Sequence, residues 1–164
     1  MNAKKIDRQP ILVPVDFSSH SKPALLKACE LAECTGDPLL VLHVVHDPAE
    51  MPGYYGQVTK KKKLLRIQDL ARESFDEFMK TTAAENPDVK KLKKAEDMLV
   101  LGLPVSRIIE VAKKRNASMV VMGSQGRTGL AHVLLGSKAE QLVRLAPLPV
   151  MIVKENTNKK AADK

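Results

Sequence analysis

The chain is poor in aromatic side chains: its 164 residues include no tryptophan, two tyrosines and three phenylalanines. Proteins that bind single-stranded nucleic acid stack the bases on aromatic rings. This function is therefore poorly supported, even though the net charge is +8. The lysines fall in short runs, which are usually solvated surface. We expect the positive charge to contribute to solubility. Nucleic-acid binding is an alternative, and it predicts that the binding affinity falls steeply as the salt concentration rises.

Long apolar runs and a secretory signal are also missing. No stretch approaches the roughly 18 apolar residues of a membrane span, and the first ten residues lack the apolar core of a signal peptide. The two cysteines, Cys29 and Cys34, match no metal or redox spacing. Within a helix they would lie on different faces. We interpret them as structural thiols of a soluble, cytoplasmic protein.

Several fingerprints of phosphate binding and catalysis are absent. The sequence contains no G-x-x-x-x-G-K-[ST], and no G-x-G-x-x-G follows its first apolar run. G-x-S-x-G, H-E-x-x-H and clustered cysteine and histidine ligands are missing too. These absences exclude the P-loop, the dinucleotide fingerprint and the common hydrolase and zinc motifs.

Five short apolar runs alternate with helical patterns along the chain. Continuous apolar runs are typical of strands covered on both faces, and the alternation predicts an α/β fold. We expect a doubly wound, five-stranded, mainly parallel sheet with helices on both faces, Rossmann-like in architecture. The domain should span residues 1–154, and residues 155–164 should form a disordered basic tail. The predicted strands are residues 11–15, 39–45, 98–101, 118–122 and 149–153, and the predicted helices follow them, beginning near residues 21, 60, 105 and 137.

Local signals refine this outline. Ser18 or Ser21 can cap the first helix. Pro14 cannot donate to a sheet ladder and predicts a strand edge or a bulge. Leu70 falls on the apolar stripe of the second helix. The last strand, Val150–Val153, is short and apolar and can be an exposed edge that pairs with a second copy.

Three of the predicted strands bring candidate residues to the same edge of the sheet. Asp16 follows the first strand, Val44 lies near the end of the second, and Gly123 follows the fourth. The carboxyl ends of parallel strands meet at one edge of the sheet, where such folds bind ligands. Glycine there lets backbone N–H groups approach an anion. We therefore expect a phosphate-binding site that also includes Gly126, Gly136 and Ser137, the last two at the start of a helix.

The spacing G-x2-G-x9-G-S after the fourth strand, together with the early aspartate, resembles the ATP-binding branch of the universal stress protein family. The resemblance covers about residues 8–154 and rests on several stretches. They are Val-Pro-Val-Asp-Phe-Ser at 13–18, Leu-His-Val at 42–44, Gly-Leu-Pro at 102–104, Met-Gly-Ser-Gln-Gly-Arg-Thr-Gly at 122–129, Leu-Leu-Gly-Ser at 134–137 and Pro-Leu-Pro-Val at 147–150.

The resemblance implies an ATP site in an adenine nucleotide alpha hydrolase-like fold, with or without Mg²⁺, and no metal site built by the protein. Asp16 would face the base or ribose, and the backbone of Val44 would hold the adenine edge. Met122 and Gly123 would shape the ribose and α-phosphate side. The phosphates would be held by Gly126, Gly136 and Ser137. It also implies a homodimer through Val150–Val153.

The chain departs from the family pattern at two positions. Ser118 stands where an acidic residue is usual, before the fourth strand, and Gln125 stands where histidine is frequent. The second difference removes support for proton transfer at that position.

Each candidate also has a purely structural interpretation. Asp16 can cap the first helix, and Gly123 and Gly126 can form only a tight turn. Ser137 with Glu140 matches a capping box, S-x-x-E, which needs no ligand. His43 is interpreted as a core histidine, and Arg127 either approaches the phosphates or lies in solvent.

The predicted function is an ATP-binding, nucleotide-dependent switch in stress response or signalling. No residue is an evident general base, and no second carboxylate accompanies the glycine loop to hold Mg²⁺. We therefore expect no catalytic residues and at most slow ATP hydrolysis. The alternative is a nucleotide-free interaction module with the same fold.

Overall fold

A computed structural model describes residues 8–46, 57–126 and 135–154 of the chain. The strands are β1 (Ile11–Pro14), β2 (Leu39–Val45), β3 (Glu96–Leu101), β4 (Met119–Gly123) and β5 (Val150–Val153). The helices are α1 (Ser21–Thr35), α2 (Gln57–Glu85), α3 (Pro104–Lys114) and α4 (Ser137–Leu145), and a short 3-10 turn covers Leu92–Lys94. Residues 47–56 with both tyrosines, Arg127, and the predicted tail 155–164 lie outside the described residues.

The five strands form one parallel sheet in the order β3-β2-β1-β4-β5. The predicted α/β fold is confirmed, and the sheet is parallel throughout. Strand order reverses between β1 and β4, because the chain moves outward from β1 to β3 and then returns to the other side of β1. Open α/β sheets bind ligands beside such a reversal, at the carboxyl ends of the strands.

Both faces of the sheet are apolar, as the continuous runs predict. Ile11 and Val13 of β1 lie in one core cluster with helix residues Leu25 and Phe75, which come from α1 and α2. Leu12 points to the other face, whose cluster includes apolar residues of α3 and α4. Successive strand residues point to opposite faces. The two clusters therefore fix the sheet between two helical layers.

Pro14 lies at the end of the central strand, so the predicted edge or bulge is wrong. The ladder between β1 and β4 pairs only Ile11 and Leu12 with their partners, whereas β1 pairs with β2 as far as Pro14. The Val15 N–H still donates to the Leu42 carbonyl at 2.8 Å, so residues 13 and 15 turn their N–H groups toward β2 and residue 14 faces β4. Proline has no N–H, and at position 14 this group would point toward β4. The β1–β4 ladder has already ended at Leu12, so the proline removes no hydrogen bond of the sheet.

Strand β3 begins two residues earlier than the apolar pattern predicts. Its first residues, Glu96 and Asp97, are exposed and form ion pairs with Arg115 and Arg72. The Arg115 guanidinium binds both carboxylate oxygens of Glu96, at 2.7 and 2.5 Å, and lowers the pKa of that carboxyl. Hydrophobicity alone misses these residues because β3 is an edge strand whose first two residues are charged.

Leu70 does not lie on the apolar stripe of α2, although the sequence pattern predicts it there. Its side chain is 56% exposed, so this prediction is wrong.

The cysteines lie on different faces of α1, as predicted: Cys34 is exposed, and Cys29 is buried. Burial raises the pKa of the Cys29 thiol to about 11. Among the described residues, no helix has the length and apolar composition needed to cross a membrane.

Candidate functional site

A cavity of about 440 Å³ lies at the carboxyl ends of the central strands. This volume is in the range of small-molecule sites, roughly 300–1,000 Å³. Residues from the ends of β1, β2 and β4 and from the starts of α1, α3 and α4 line it. All seven residues predicted from the sequence are among them: Asp16, Val44, Met122, Gly123, Gly126, Gly136 and Ser137.

Asp16 is held by hydrogen bonds at the start of α1. Its Oδ1 accepts from the Ser18 N–H at 3.1 Å, from the Ser18 hydroxyl at 2.6 Å and from the Ser21 hydroxyl at 2.7 Å. The Ser21 Oγ in turn accepts from the Asp16 N–H at 3.0 Å. The second carboxylate oxygen, Oδ2, lies on the side of Gly126. The carboxylate is thus fixed in orientation before any ligand binds.

The helix-capping predictions for α1 are wrong. The N-cap position belongs to His20, and no side chain caps the helix there. Ser21 is the first helical residue and is buried, with its hydroxyl committed to Asp16. Asp16 forms a turn with Ser18 and supports the first turn of α1 through Ser21, without occupying the cap itself. Its structural role therefore involves Oδ1, and Oδ2 lies on the side of Gly126.

Phe17 adopts a left-handed backbone conformation, φ 65°, directly after Asp16. Such values are uncommon for a bulky residue and persist only where the surroundings compensate for the strain. The Phe17 ring stacks on His43 at a centroid distance of 4.2 Å and meets Phe75 and Phe78 of α2 at 5.8 and 5.6 Å. All three phenylalanines of the chain thus gather beneath Asp16.

His43 satisfies the Val15 carbonyl, which accepts a hydrogen bond from Nδ1 at 2.7 Å. Because a carbonyl only accepts, Nδ1 carries the proton. The predicted hydrogen bond of His43 is confirmed, but the residue is only half-buried and lines the cavity wall instead of lying fully in the core.

The backbone of Val44 faces the cavity side of β2. Leu42 directs its carbonyl to β1, and alternate residues of a parallel strand present their backbone groups to the same neighbour. Val44 therefore also faces β1, beyond the last ladder pair of Pro14 with Leu42. Its N–H and carbonyl are placed to bind the edge of a planar ring.

Glycine is required at positions 123 and 126, because other atoms lie too close to the backbone for a Cβ to fit. A Cβ at Gly123 would lie 2.6 Å from the His20 carbonyl oxygen, and one at Gly126 would lie 2.7 Å from Asp16 Oδ2. Real Cβ atoms do not approach other heavy atoms this closely. Gly123 therefore lets β4 pack against the start of α1. Gly126 brings the loop backbone against the carboxylate, which a simple tight turn would not require.

Gly136 closes the loop and begins α4. Its N–H donates to the Ser124 carbonyl at 2.7 Å, and it occupies the N-cap position with no side-chain cap. The predicted capping box of Ser137 with Glu140 is therefore wrong, because α4 starts one residue earlier than that motif needs. The Glu140 N–H donates to the Gly136 carbonyl. Residues 137–139, the first turn of α4, line the cavity with N–H groups of the kind that bind anions at helix starts.

Sequence reasoning missed part of the cavity wall. Pro104 and Ile108 of α3 contribute an apolar side, and Gln125 and Lys138 contribute polar atoms. In the sequence, the two α3 residues fit only the pattern of an apolar helix face that packs on the core, so nothing indicates that they line a cavity. Lys138 follows the glycine-serine pair directly, and its position could have drawn attention to it. No group of three or more potential metal ligands occurs within ranges 8–46, 57–126 and 135–154.

The sequence pattern that defines the universal stress protein family matches residues 7–154. The chain belongs to this family. A curated member, universal stress protein MJ0577 of Methanocaldococcus jannaschii, is 29% identical over 164 aligned residues, which cover 90% of this chain and 96% of that protein. A second member, from Thermus aquaticus, is 31% identical over 144 residues, which cover 88% and 97%.

Solved structures of the family share the fold. The structure of MJ0577 superimposes with a TM-score of 0.71 at 26% identity and covers 91% of this chain and 97% of its own. A universal stress protein from Archaeoglobus fulgidus, solved in complex with dAMP, gives a TM-score of 0.56 at 26% identity, with 89% and 98% covered. Nucleotide binding is thus a property of a structural relative of this chain.

Proposed function

We propose that this universal stress protein binds ATP in the cavity at the carboxyl ends of β1, β2 and β4 and acts as a nucleotide-dependent switch in cytoplasmic stress response or signalling. One observation carries the proposal. Residues more than 100 positions apart, Asp16 and Gly126, meet at a single cavity beside the reversal of strand order. The family relative solved with dAMP makes an adenine nucleotide the natural ligand class.

In this proposal the two ends of the cavity bind different parts of the nucleotide. The Val44 backbone holds the adenine edge, and Asp16 Oδ2 faces the ribose hydroxyls. Met122 and Gly123 shape the ribose and α-phosphate side. The phosphates bind Gly126, Gly136 and Ser137, where backbone N–H groups at a helix start favour negative charge.

We propose that ATP is hydrolysed slowly if at all. Asp16 is the one carboxylate among the described cavity residues, and its Oδ1 is committed to Ser18 and Ser21. Because Asp16 Oδ2 is assigned to the ribose, a Mg²⁺ ion would arrive with the phosphates and keep most of its waters. A switch needs only different affinities of the partner for the ATP-bound and product-bound states.

Isothermal titration calorimetry of the purified chain with ATP and with AMP tests the proposal. We expect saturable heat with a stoichiometry of one nucleotide per chain. Absence of heat with both ligands, in protein whose circular dichroism shows a folded α/β domain, would favour a nucleotide-free interaction module.

We further propose a homodimer through β5. This strand is an edge of the sheet and is apolar along its length. Val143 and Leu145 of the adjacent helix α4 are 49% and 58% exposed. An apolar edge beside exposed apolar side chains is a recognised risk for association with other strands. Sedimentation velocity should show a species of twice the 18.1 kDa chain mass, and a purely monomeric protein at micromolar concentration would reject this interface.

A further inference from the structure

Lys138 is the only lysine or arginine among the described residues that line the cavity. It is the second residue of α4 and lies beside Gly136 and Ser137, the phosphate side of the proposed site. In an α-helix the Cα–Cβ bond tilts toward the N-terminus. The Lys138 side chain therefore extends over the start of α4, where phosphates would bind.

Lys138 has no carboxylate partner on its own helix, a property that it shares with Lys113 of α3. Lys27, Arg72 and Arg107, by contrast, each pair with a carboxylate three or four residues later on the same helix. The corresponding positions after Lys138 hold Gln141 and Leu142. Within the described part of the chain, Lys138 forms no ion pair. Its charge is available to a bound anion.

A cation in the first turn of a helix is unfavourable, because the N–H groups there already carry partial positive charge. This repulsion between the lysine charge and the N–H groups is relieved when an anion binds between the ammonium group and the start of the helix. Three kinds of donor then act together on one anion: the glycine backbone, the first turn of α4 and the Lys138 ammonium group. An ammonium group acts as a point charge toward phosphate and needs no fixed geometry.

Family membership alone does not determine how many phosphates this site prefers. The Archaeoglobus relative was solved with dAMP, a monophosphate. We propose that Lys138 makes this chain select adenine nucleotides with β- and γ-phosphates over monophosphates. This inference rests on the proposed nucleotide site and specifies its ligand. The charge of Lys138 substitutes in part for the carboxylate-bound Mg²⁺ that the described cavity residues do not provide.

The test measures dissociation constants of AMP, ADP and ATP for the unmodified chain and for Lys138→Ala, with and without Mg²⁺. We expect the unmodified chain to bind ATP more tightly than AMP. In Lys138→Ala the affinity for ATP should fall about two- to fivefold, a typical size for one exposed charge pair. The affinity for AMP should fall less than about twofold. Lys138→Arg should retain the preference for ATP.

Lys113→Ala is the matched control. Lys113 is an exposed lysine in the last turn of α3, so its loss changes the net charge equally without altering the cavity. An unchanged ratio of ATP to AMP affinity in Lys138→Ala would overturn the role of Lys138 and leave the nucleotide site standing. An equal loss of ATP affinity in Lys113→Ala would also overturn it, because net charge would then be the cause. Failure of the unmodified chain to bind any of the three nucleotides would overturn the site and the inference together.

Discussion

The two ends of the cavity are built in different ways. At the Asp16 end, side chains bind one another: the carboxylate binds two serines, and the ring after it packs against His43 and two phenylalanines of α2. At the Gly126 end, the wall is mostly backbone and the start of a helix without a side-chain cap. The first end is thus part of the core, and the second offers donors to a ligand. Substitutions at the two ends should therefore have different effects.

Phe75→Ala should have the largest effect and should act on stability. Phe75 is fully buried and lies against Phe17 beneath Asp16. Removal of a buried phenylalanine ring costs about 3–5 kcal/mol of the free energy of unfolding. Urea denaturation measures this loss. Leu70→Ala on the same helix is the control, because Leu70 is exposed and should change stability by less than about 0.5 kcal/mol. Equal losses in the two variants would mean that the aromatic cluster does not hold the Asp16 end.

Gly126→Val should have the next largest effect and should act on binding. The added Cβ would lie 2.7 Å from Asp16 Oδ2, so the loop or the carboxylate must move from its binding position. We expect ATP affinity to fall at least about 100-fold, or about 2.7 kcal/mol, with a small change in the thermal midpoint. Titration calorimetry and thermal denaturation measure the two quantities.

A milder variant at the same end provides the control for Gly126→Val. A Cβ at Gly136 would have its nearest contacts at 3.3 Å, so Gly136→Ala should weaken binding less. A nucleotide-free interaction module would keep its function in Gly126→Val. A loss of stability in Gly126→Val as large as that of Phe75→Ala would remove the distinction between the two ends.

Ser21→Ala should affect both stability and binding. The buried Ser21 hydroxyl donates to Asp16 Oδ1 and accepts from the Asp16 N–H. Loss of a hydrogen bond that leaves a buried partner unsatisfied costs about 1–3 kcal/mol. We expect denaturant unfolding to detect this loss and calorimetry to detect weaker ATP binding, because the carboxylate is no longer oriented. Unchanged nucleotide affinity would show that Asp16 needs no positioning by α1.

Asp16→Asn should have the smallest effect on stability. Asparagine keeps an oxygen that can accept from Ser18 and Ser21, and it replaces the second oxygen with an amide donor. We expect a change below about 1 kcal/mol in the free energy of unfolding. ATP affinity should fall about three- to tenfold through loss of the acceptor for the ribose hydroxyls. A matched measurement with 2′,3′-dideoxy-ATP should show no difference between Asp16→Asn and the unmodified chain.

The sequence predicted the fold and seven of the residues that line the cavity, but it predicted the helix caps and the start of β3 incorrectly. Apolar runs marked the strands, because both sheet faces are buried. The glycines marked the loop, because only glycine permits its close approaches. The capping box failed because Gly136 extends α4 by one position. The start of β3 was missed because ion pairs, rather than apolar contacts, surround Glu96 and Asp97.

The aromatic support of Asp16 could not be predicted in the same way. Phe17 and His43 lie far in the chain from Phe75 and Phe78 of α2, and all but Phe17 are ordinary members of helix or strand patterns. The positive φ of Phe17 has no sequence signal, since bulky residues rarely adopt it. Only the packing of α2 against the sheet brings these rings together.

The hydrogen bond from the Gly136 N–H to the Ser124 carbonyl joins residues only 12 positions apart. The chain entropy lost on closing a loop grows only with the logarithm of its length, so short loops close at the lowest cost. The phosphate end of the proposed site is therefore a local feature of the chain. The approach of Asp16 to Gly126, by contrast, joins residues 110 positions apart and depends on the assembly of the whole sheet.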